Sequence, residues 1–331
     1  MVGLLRAVFI AVLCLVCASA YGETERRVAL VIGNDNYKYV PHLENAVNDA
    51  RLIADTLKEL GFTLVGGGPQ LNLDRAKLTE AIRTFGRDAN GATAAVFYYS
   101  GHGIQMRGVN WLVPVTANPI AESDVDFEMV DTSLVLRVME AAKAKFKLMI
   151  LDACRNNPFA SRRLRAVTRG LVEMNAPEGT LISYATQPGQ VARDGEDGHS
   201  PYTEALAETM RKPGLDVFNL FNEVGLIVER VTKREQQPWL ASSPLEGVFY
   251  FRPPKTTVAT LNPAGAAPPA SAPPETKAEP VAPTSRSSTI AGESGTSSLT
   301  TSSCNGFGRP YRKARRGIRW KLEFRRAGLR L

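Results

Sequence analysis

Between Arg27 and about residue 252 the chain alternates short, nearly unbroken apolar runs with longer segments whose apolar positions recur every three or four residues. The run Val28-Ala-Leu-Val-Ile32, bounded by Gly33, offers no polar face to solvent and predicts a strand buried on both sides. Phe62–Val65, Ala94–Tyr99, Lys147–Leu151 and Thr180–Tyr184 predict further strands of that kind, and Gly247-Val-Phe-Tyr-Phe251 a last strand that closes the domain. Asn45–Leu60 differs. Ala46, Ala50, Ile53, Ala54, Leu57 and Leu60 fall on one helical face, and Gly61 is the stop. Helical spacing also covers Asp74–Phe85, with Asp74 as N-cap, then Asp131–Lys143, Tyr202–Arg211 and Asp216–Lys233. Ile104–Met106 and Val109–Val113 flank Arg107-Gly108 as a hairpin. The expected fold is α/β: a three-layer sandwich with a mostly parallel sheet of about six strands and helices on both faces. Ligands in such sheets bind beyond the carboxyl ends of the strands. The residues after Tyr99 and Leu151 are therefore the first place to look for chemistry.

The two ends of the chain break this pattern. Residues 1–20 combine Arg6, the apolar Ala7–Val16 and the small triplet Ala18-Ser19-Ala20, the layout of a secretory signal peptide. The apolar part is shorter than the roughly 20 residues that span a bilayer as a helix. The expectation is an exported protein, periplasmic or secreted. Residues 253–305 hold nine of the 21 prolines and no aromatic residue, so they cannot bury enough surface to offset the entropy of ordering and are expected to form a disordered linker. Residues 306–331 carry ten Lys or Arg and one Glu. The formal charge of +7 thus belongs to this tail, which suits an anionic surface, while the remainder is close to neutral and gives no ground for nucleic-acid binding by the core domain. With 44% apolar and 22% charged residues, wholesale disorder is excluded, and the single long apolar run excludes a multi-pass membrane protein.

Removal of residues 1–20 would discard Cys14 and Cys17 and leave Cys154 and Cys304, which is no disulfide framework. Cys154 follows one predicted strand and His102 the strand before it, and consecutive elements are usually neighbours. A thiol beside an imidazole is an arrangement for nucleophilic catalysis, because the ring accepts the thiol proton and the thiolate attacks. The backbone amides of Gly103 and Cys154 are the natural candidates for an oxyanion hole. The plain alternative is a buried thiol serving as a small hydrophobe. His42 and His199 read as loop residues without partners at metal spacing. Gly66-Gly-Gly68 lacks the Lys-Ser/Thr of a phosphate loop, and Gly33-Asn-Asp-Asn36 is not a dinucleotide fingerprint.

Tyr99-Ser-Gly-His-Gly103 after one apolar strand and Leu151-Asp-Ala-Cys-Arg155 after another resemble the motifs of the caspase-like cysteine peptidases, which include caspases, metacaspases, paracaspases and their bacterial relatives. The caspase cysteine signature is Q-A-C-[RQG]-G with its histidine about 50 residues upstream; here the two residues are 52 apart. Val28–Asn34, Asn48-Asp-Ala50 and Ile182-Ser-Tyr-Ala-Thr186 with Pro188-Gly189 extend the resemblance over residues 26–252. It implies a caspase-like fold and a cysteine endopeptidase acting on peptide or protein substrates through His102 and Cys154. A catalytically silent binding module on the same fold is the alternative.

Two departures are informative. Where caspases carry Gln before the nucleophile this chain has Asp152, and Asp194 falls at or near the arginine that binds an acidic substrate side chain. A carboxylate-binding pocket would thereby become a carboxylate-lined one, as a guanidinium or ammonium requires. The resemblance then implies cleavage after Arg or Lys, with Asp49 a third candidate for the pocket and a solvated helix face its alternative. No cofactor is expected. Some metacaspases use calcium, but the Asp194–Asp197 loop lacks the spaced ligands of a hand-type site. The basic segment Ser161–Gly170 could be a self-processing site or a solvated loop.

Overall fold

A computed structural model describes residues 25–153, 158–159, 164, 167–168, 170–196 and 198–255. Residues 1–20, expected as a signal peptide, the part of the expected linker 253–305 beyond residue 255, residues 306–331 and Cys154 lie outside the described residues. Among the described residues no helix is long and apolar enough to cross a membrane.

The apolar runs form the main sheet. Strands β1 (Arg27–Gly33), β2 (Phe62–Leu64), β4 (Ala94–Ser100), β8 (Phe146–Asp152), β10 (Thr180–Tyr184) and β11 (Trp239–Ser242) lie in the order β11-β10-β8-β4-β1-β2, and β3 (Gln70–Leu71) also pairs with β1. All neighbours are parallel except β10 and β11. Every residue of β1, β4, β8 and β10 is buried, the reason their sequences lack alternation. Helices α1 (Ala46–Glu59), α5 (Pro201–Met210) and α6 (Val217–Val231) pack together, and α2 (Arg75–Asp88) packs on α4 (Thr132–Ala141), so the sheet is covered by two separate helical layers. The layers follow from the chain's direction of travel: β1 to β2 moves one way along the sheet and β3 to β4 the other. Right-handed crossovers then place α1 and α2 on opposite faces.

The predicted N-cap at Asp74 is present, its side chain accepting from the Lys77 N–H at 2.9 Å. The predicted hairpin is β5 (Gly103–Met106) and β6 (Val109–Leu112), turning through Arg107 and Gly108, both at positive φ. With β7 (Val130–Asp131), which follows the short helix α3 (Val125–Glu128), and β9 (Val167–Thr168) this hairpin makes a small antiparallel sheet, ordered β7-β6-β5-β9. A second apolar cluster containing Tyr37, Met106, Trp111, Phe159 and Leu164 lies against it. The arginines of the Ser161–Gly170 segment lie outside the described residues, but Leu164 is buried and Val167–Thr168 pairs with β5, so the segment is docked at those points.

One expected element is wrong. Gly247–Phe251 is no strand; within it only Tyr250 makes an isolated bridge, to Asp216. Apart from the Val217 N–H, which donates to the Phe249 carbonyl at 3.0 Å, the segment is held by side chains. Phe249 stacks on Phe146 at 3.9 Å and meets Phe251 edge-on at 5.1 Å, while Arg27 donates to the carbonyls of Phe251 and Tyr250 at 2.8 and 3.2 Å. The run Val248-Phe-Tyr-Phe251 reads as a strand because β-branched and aromatic residues favour any half-buried extended segment, whether or not a ladder forms. The edge place goes instead to Trp239–Ser242, whose weaker pattern follows Gln-Gln-Pro and which is only partly buried.

Candidate active site

The register of the central strands sets the site. Ser100 of β4 pairs with Asp152 of β8, and the Gly101 N–H donates to the Asp152 carbonyl at 3.4 Å. Each chain leaves the sheet just beyond that pair: one through Gly101 to His102, the other through Ala153 toward Cys154. The two lines stay close, since a Cβ built on Gly103 would lie 3.2 Å from the Ala153 Cβ and 3.3 Å from Leu171 Cδ2. His102 and Gly103 therefore border the last described residue before Cys154, which is itself outside the described residues.

His102 is held on several sides. It is only 4% exposed. Its N–H donates to the Tyr37 hydroxyl at 2.7 Å, its carbonyl accepts from the Tyr99 hydroxyl at 2.8 Å, and its ring lies 4.6 Å from that of Tyr37. Nε2 lies 2.9 Å from the Pro41 carbonyl oxygen. A carbonyl oxygen only accepts, so Nε2 carries the hydrogen and Nδ1 is the basic nitrogen of the neutral ring. The ring is thus oriented at Nε2 by a loop carbonyl from the β1–α1 connection.

Gly101 makes this packing possible. A Cβ there would meet the Tyr99 and Tyr37 hydroxyls at 2.7 and 2.8 Å. Gly101→Ala is accordingly expected to destabilise the fold by about 1–3 kcal/mol through overpacking, read as a lower urea midpoint; an unchanged midpoint would contradict the close approach.

The three acidic candidates all gather on the α5 side of the crevice. Asp152 and Asp49 are both 0% exposed, so the solvated-face alternative for Asp49 does not hold. Asp152 Oδ2 accepts from the Ser200 hydroxyl and from Thr203 Oγ1, the latter at 2.9 Å. Asp49 Oδ1 accepts from the Ser200 N–H at 3.0 Å, and Oδ2 from the Ser100 hydroxyl at 3.3 Å. Ser200, the N-cap of α5, therefore bridges the two carboxylates, and its hydroxyl also accepts from the Thr203 N–H at 3.0 Å. Asp49 lies in the first turn of α1 and Asp152 at the start of α5; helix N-termini favour negative charge, which eases the burial of both acids. Asp194 is only partly buried. It accepts from the Glu44 N–H at 3.0 Å, and Asn45 donates to its carbonyl at 2.7 Å.

Beneath the acids lies a polar layer inside the core. Thr203 gives its one hydroxyl hydrogen to Asp152 and so accepts from the Tyr98 hydroxyl at 2.5 Å. Burial, and then the charges of Asp49 and Asp152, hold the Tyr98 phenol well above its usual range, so it stays a donor at any working pH. Tyr202, 2.7 Å from Ser183 by its hydroxyl, is raised chiefly by burial as well.

Tyr37, Pro41, Ser200 and His199 escape sequence reasoning as site residues. Ser-Pro ahead of a helical pattern is an N-cap signal and makes Ser200 findable as a cap, but not as a bridge between acids. His199 is no plain loop residue: its Nδ1 lies 3.2 Å from Asp49 Oδ1. Among the described residues no group of three His, Cys, Asp or Glu side chains could hold a metal ion.

Comparison with known proteins bears on this rim directly. Residues 26–250 match the family model of the caspase domain. Over 130 residues the chain is 28% identical to the human (Homo sapiens) mucosa-associated lymphoid tissue lymphoma translocation protein 1, covering 39% of this chain and 15% of that protein. The mouse (Mus musculus) homolog matches with the same identity and coverage. The chain thus spans only a small part of the length of these relatives. The family match runs from just ahead of β1 to the Tyr250 bridge and includes both strand ends that form the crevice. The chain therefore belongs to the caspase domain family, cysteine peptidases that act on protein substrates.

Proposed function

We propose that the protein is an exported cysteine endopeptidase that cleaves after Arg or Lys, with Cys154 as nucleophile and His102 as base. The observation that carries the reading is the His102 tautomer. The Pro41 carbonyl takes the Nε2 hydrogen at 2.9 Å, which leaves Nδ1 as the proton acceptor, and His102 follows the strand that pairs with the one leading to Cys154. In this reading Nδ1 accepts the Cys154 thiol proton, and the thiolate adds to the carbonyl carbon of the scissile bond. The amides of Gly103 and Cys154 donate to the resulting oxyanion. As the C–N bond breaks, the imidazolium returns the proton to the departing amine and a thioester remains. His102 then deprotonates water, which attacks the thioester and releases the new carboxylate and the free thiol.

Asp49, Asp152 and Asp194 support a cationic residue ahead of the scissile bond, because two carboxylates joined through Ser200 make a strongly negative wall for a guanidinium. Export through residues 1–20 and an anionic surface as partner for the 306–331 tail belong to the same proposal. A panel of fluorogenic peptides ending in Arg, Lys or Asp tests the specificity. The expected result is turnover of the Arg and Lys peptides with at least about 100-fold lower efficiency on Asp, as for a misplaced buried charge. Activity confined to the Asp peptide would overturn the pocket while leaving the nucleophile in place.

A further inference from the structure

The loop ahead of α5 supplies Asp49 with a partner of a different kind from the others. Ser100 and Ser200 are both 0% exposed, whereas the side chain of His199 is 34% exposed. Of these three partners, then, His199 is the one that reaches solvent. It lines a cavity of about 720 Å³, roomy enough for an arginine side chain. Among the described residues, the charged groups lining the cavity with it are Arg193, Asp194 and Glu196 from its own loop, Glu204 from α5, and Lys233 and Glu235 after α6; Asp49 of α1 and, through Ser200, Asp152 of β8 are fully buried and meet the cavity only by way of His199 and its neighbour. Arg193 and Glu235 pair with each other. Asp194, Glu196 and Glu204 then outweigh Lys233, and the cavity favours a cation.

We propose that His199 is a specificity-determining residue of the acidic pocket: its imidazole holds Asp49 until an arginine or lysine side chain of the substrate displaces it. The proposal rests on the Arg/Lys reading of that pocket. Because a carboxylate oxygen only accepts, Nδ1 is the donor in this contact. A substrate cation that reaches Asp49 must supply a donor in its place. The exchange trades the His199–Asp49 contact at 3.2 Å for one from the guanidinium or ammonium, so His199 competes with the substrate for the same carboxylate oxygen. Removing the imidazole should therefore tighten binding of an Arg or Lys side chain for a reason separate from His102.

The test is steady-state cleavage of an Arg-ending peptide by the full chain and by His199→Ala and His199→Asn at one fixed pH. KM is expected to fall about fivefold in His199→Ala, the scale of one net hydrogen bond of about 1 kcal/mol. His199→Asn, whose amide can still donate to Asp49, should stay within about twofold of the parent, and the effect should appear in KM rather than kcat. As a readout without turnover, agmatine should bind the His199→Ala, Cys154→Ala chain about fivefold more tightly than the Cys154→Ala chain in calorimetry. An equal or higher KM in His199→Ala would overturn the role of His199. If Arg turnover in that case still depends on Asp152, the pocket itself stands. Turnover of Asp-ending peptides alone would overturn the pocket and this role together.

Discussion

Cys154→Ala is expected to lower turnover of an Arg-ending peptide by at least about 10⁴-fold, the scale on which loss of an activated nucleophile is felt. No other residue in the reading can form the covalent intermediate, and the remaining cysteine of residues 21–331 is Cys304. His102→Ala should cost nearly as much near neutral pH but leave the thiol in place. The two variants are separated by alkylation with iodoacetamide. The parent should react stoichiometrically at Cys154 at neutral pH. His102→Ala should react only as pH approaches the ordinary thiol range near about 8.5, and Cys154→Ala should not react at that position. The order of magnitude rests on the way His102 is fixed: Pro41 at Nε2, Tyr37 at its N–H and Tyr99 at its carbonyl. A ring anchored by Pro41, on a backbone fixed at its N–H and its carbonyl, loses little entropy when it accepts a proton. Retention of activity within tenfold in Cys154→Ala would end the peptidase reading.

Asp152→Asn and Asp152→Ala should separate binding from folding. Alanine leaves the Ser200 and Thr203 hydroxyls facing a buried void where Oδ2 accepted both. Leaving two buried hydroxyl donors unsatisfied costs about 1–3 kcal/mol each, which in a domain of this size lowers Tm by roughly 4–24 °C. Asparagine keeps one carbonyl acceptor and about the same volume, so Tm should fall by only a few degrees, on the order of 1 kcal/mol. Its kcat/KM on Arg and Lys peptides should nevertheless fall about 100-fold, since the pocket loses a full charge. Parental efficiency in Asp152→Asn would remove Asp152 from substrate binding and leave it a structural anchor for α5.

The crevice was visible in the sequence to an unusual degree because its two strands announce themselves. β4 and β8 are buried along their whole length and end in short glycine- or alanine-bearing turns. Both signals are local, so composition within seven residues suffices to place them. The same logic located α1 and its face, since Ala46, Ala50, Ile53, Ala54 and Leu57 are all 0% exposed. It failed at Gly247–Phe251, where the run of aromatic residues is held by ring packing on Phe146 and by Arg27 rather than by a ladder. It failed also at Trp239–Ser242, an edge strand with one covered neighbour and hence a weak pattern.

Hydrophobic periodicity and two short motifs were enough to specify an α/β sandwich, the adjacency of β4 and β8 and the crevice edge where His102 sits. They could not specify who holds whom there. Pro41 and His102 are 61 residues apart, Asp49 and His199 150, and Asp49 and Ser200 151. Hydrogen bonds across such separations depend on where loops come to rest once the helical layers have docked, and a backbone carbonyl such as that of Pro41 leaves no trace in the identity of its residue. The chemistry-bearing side chains were therefore legible one by one, while the tautomer of His102, the burial of Asp49 and the bridge through Ser200 arose only from packing.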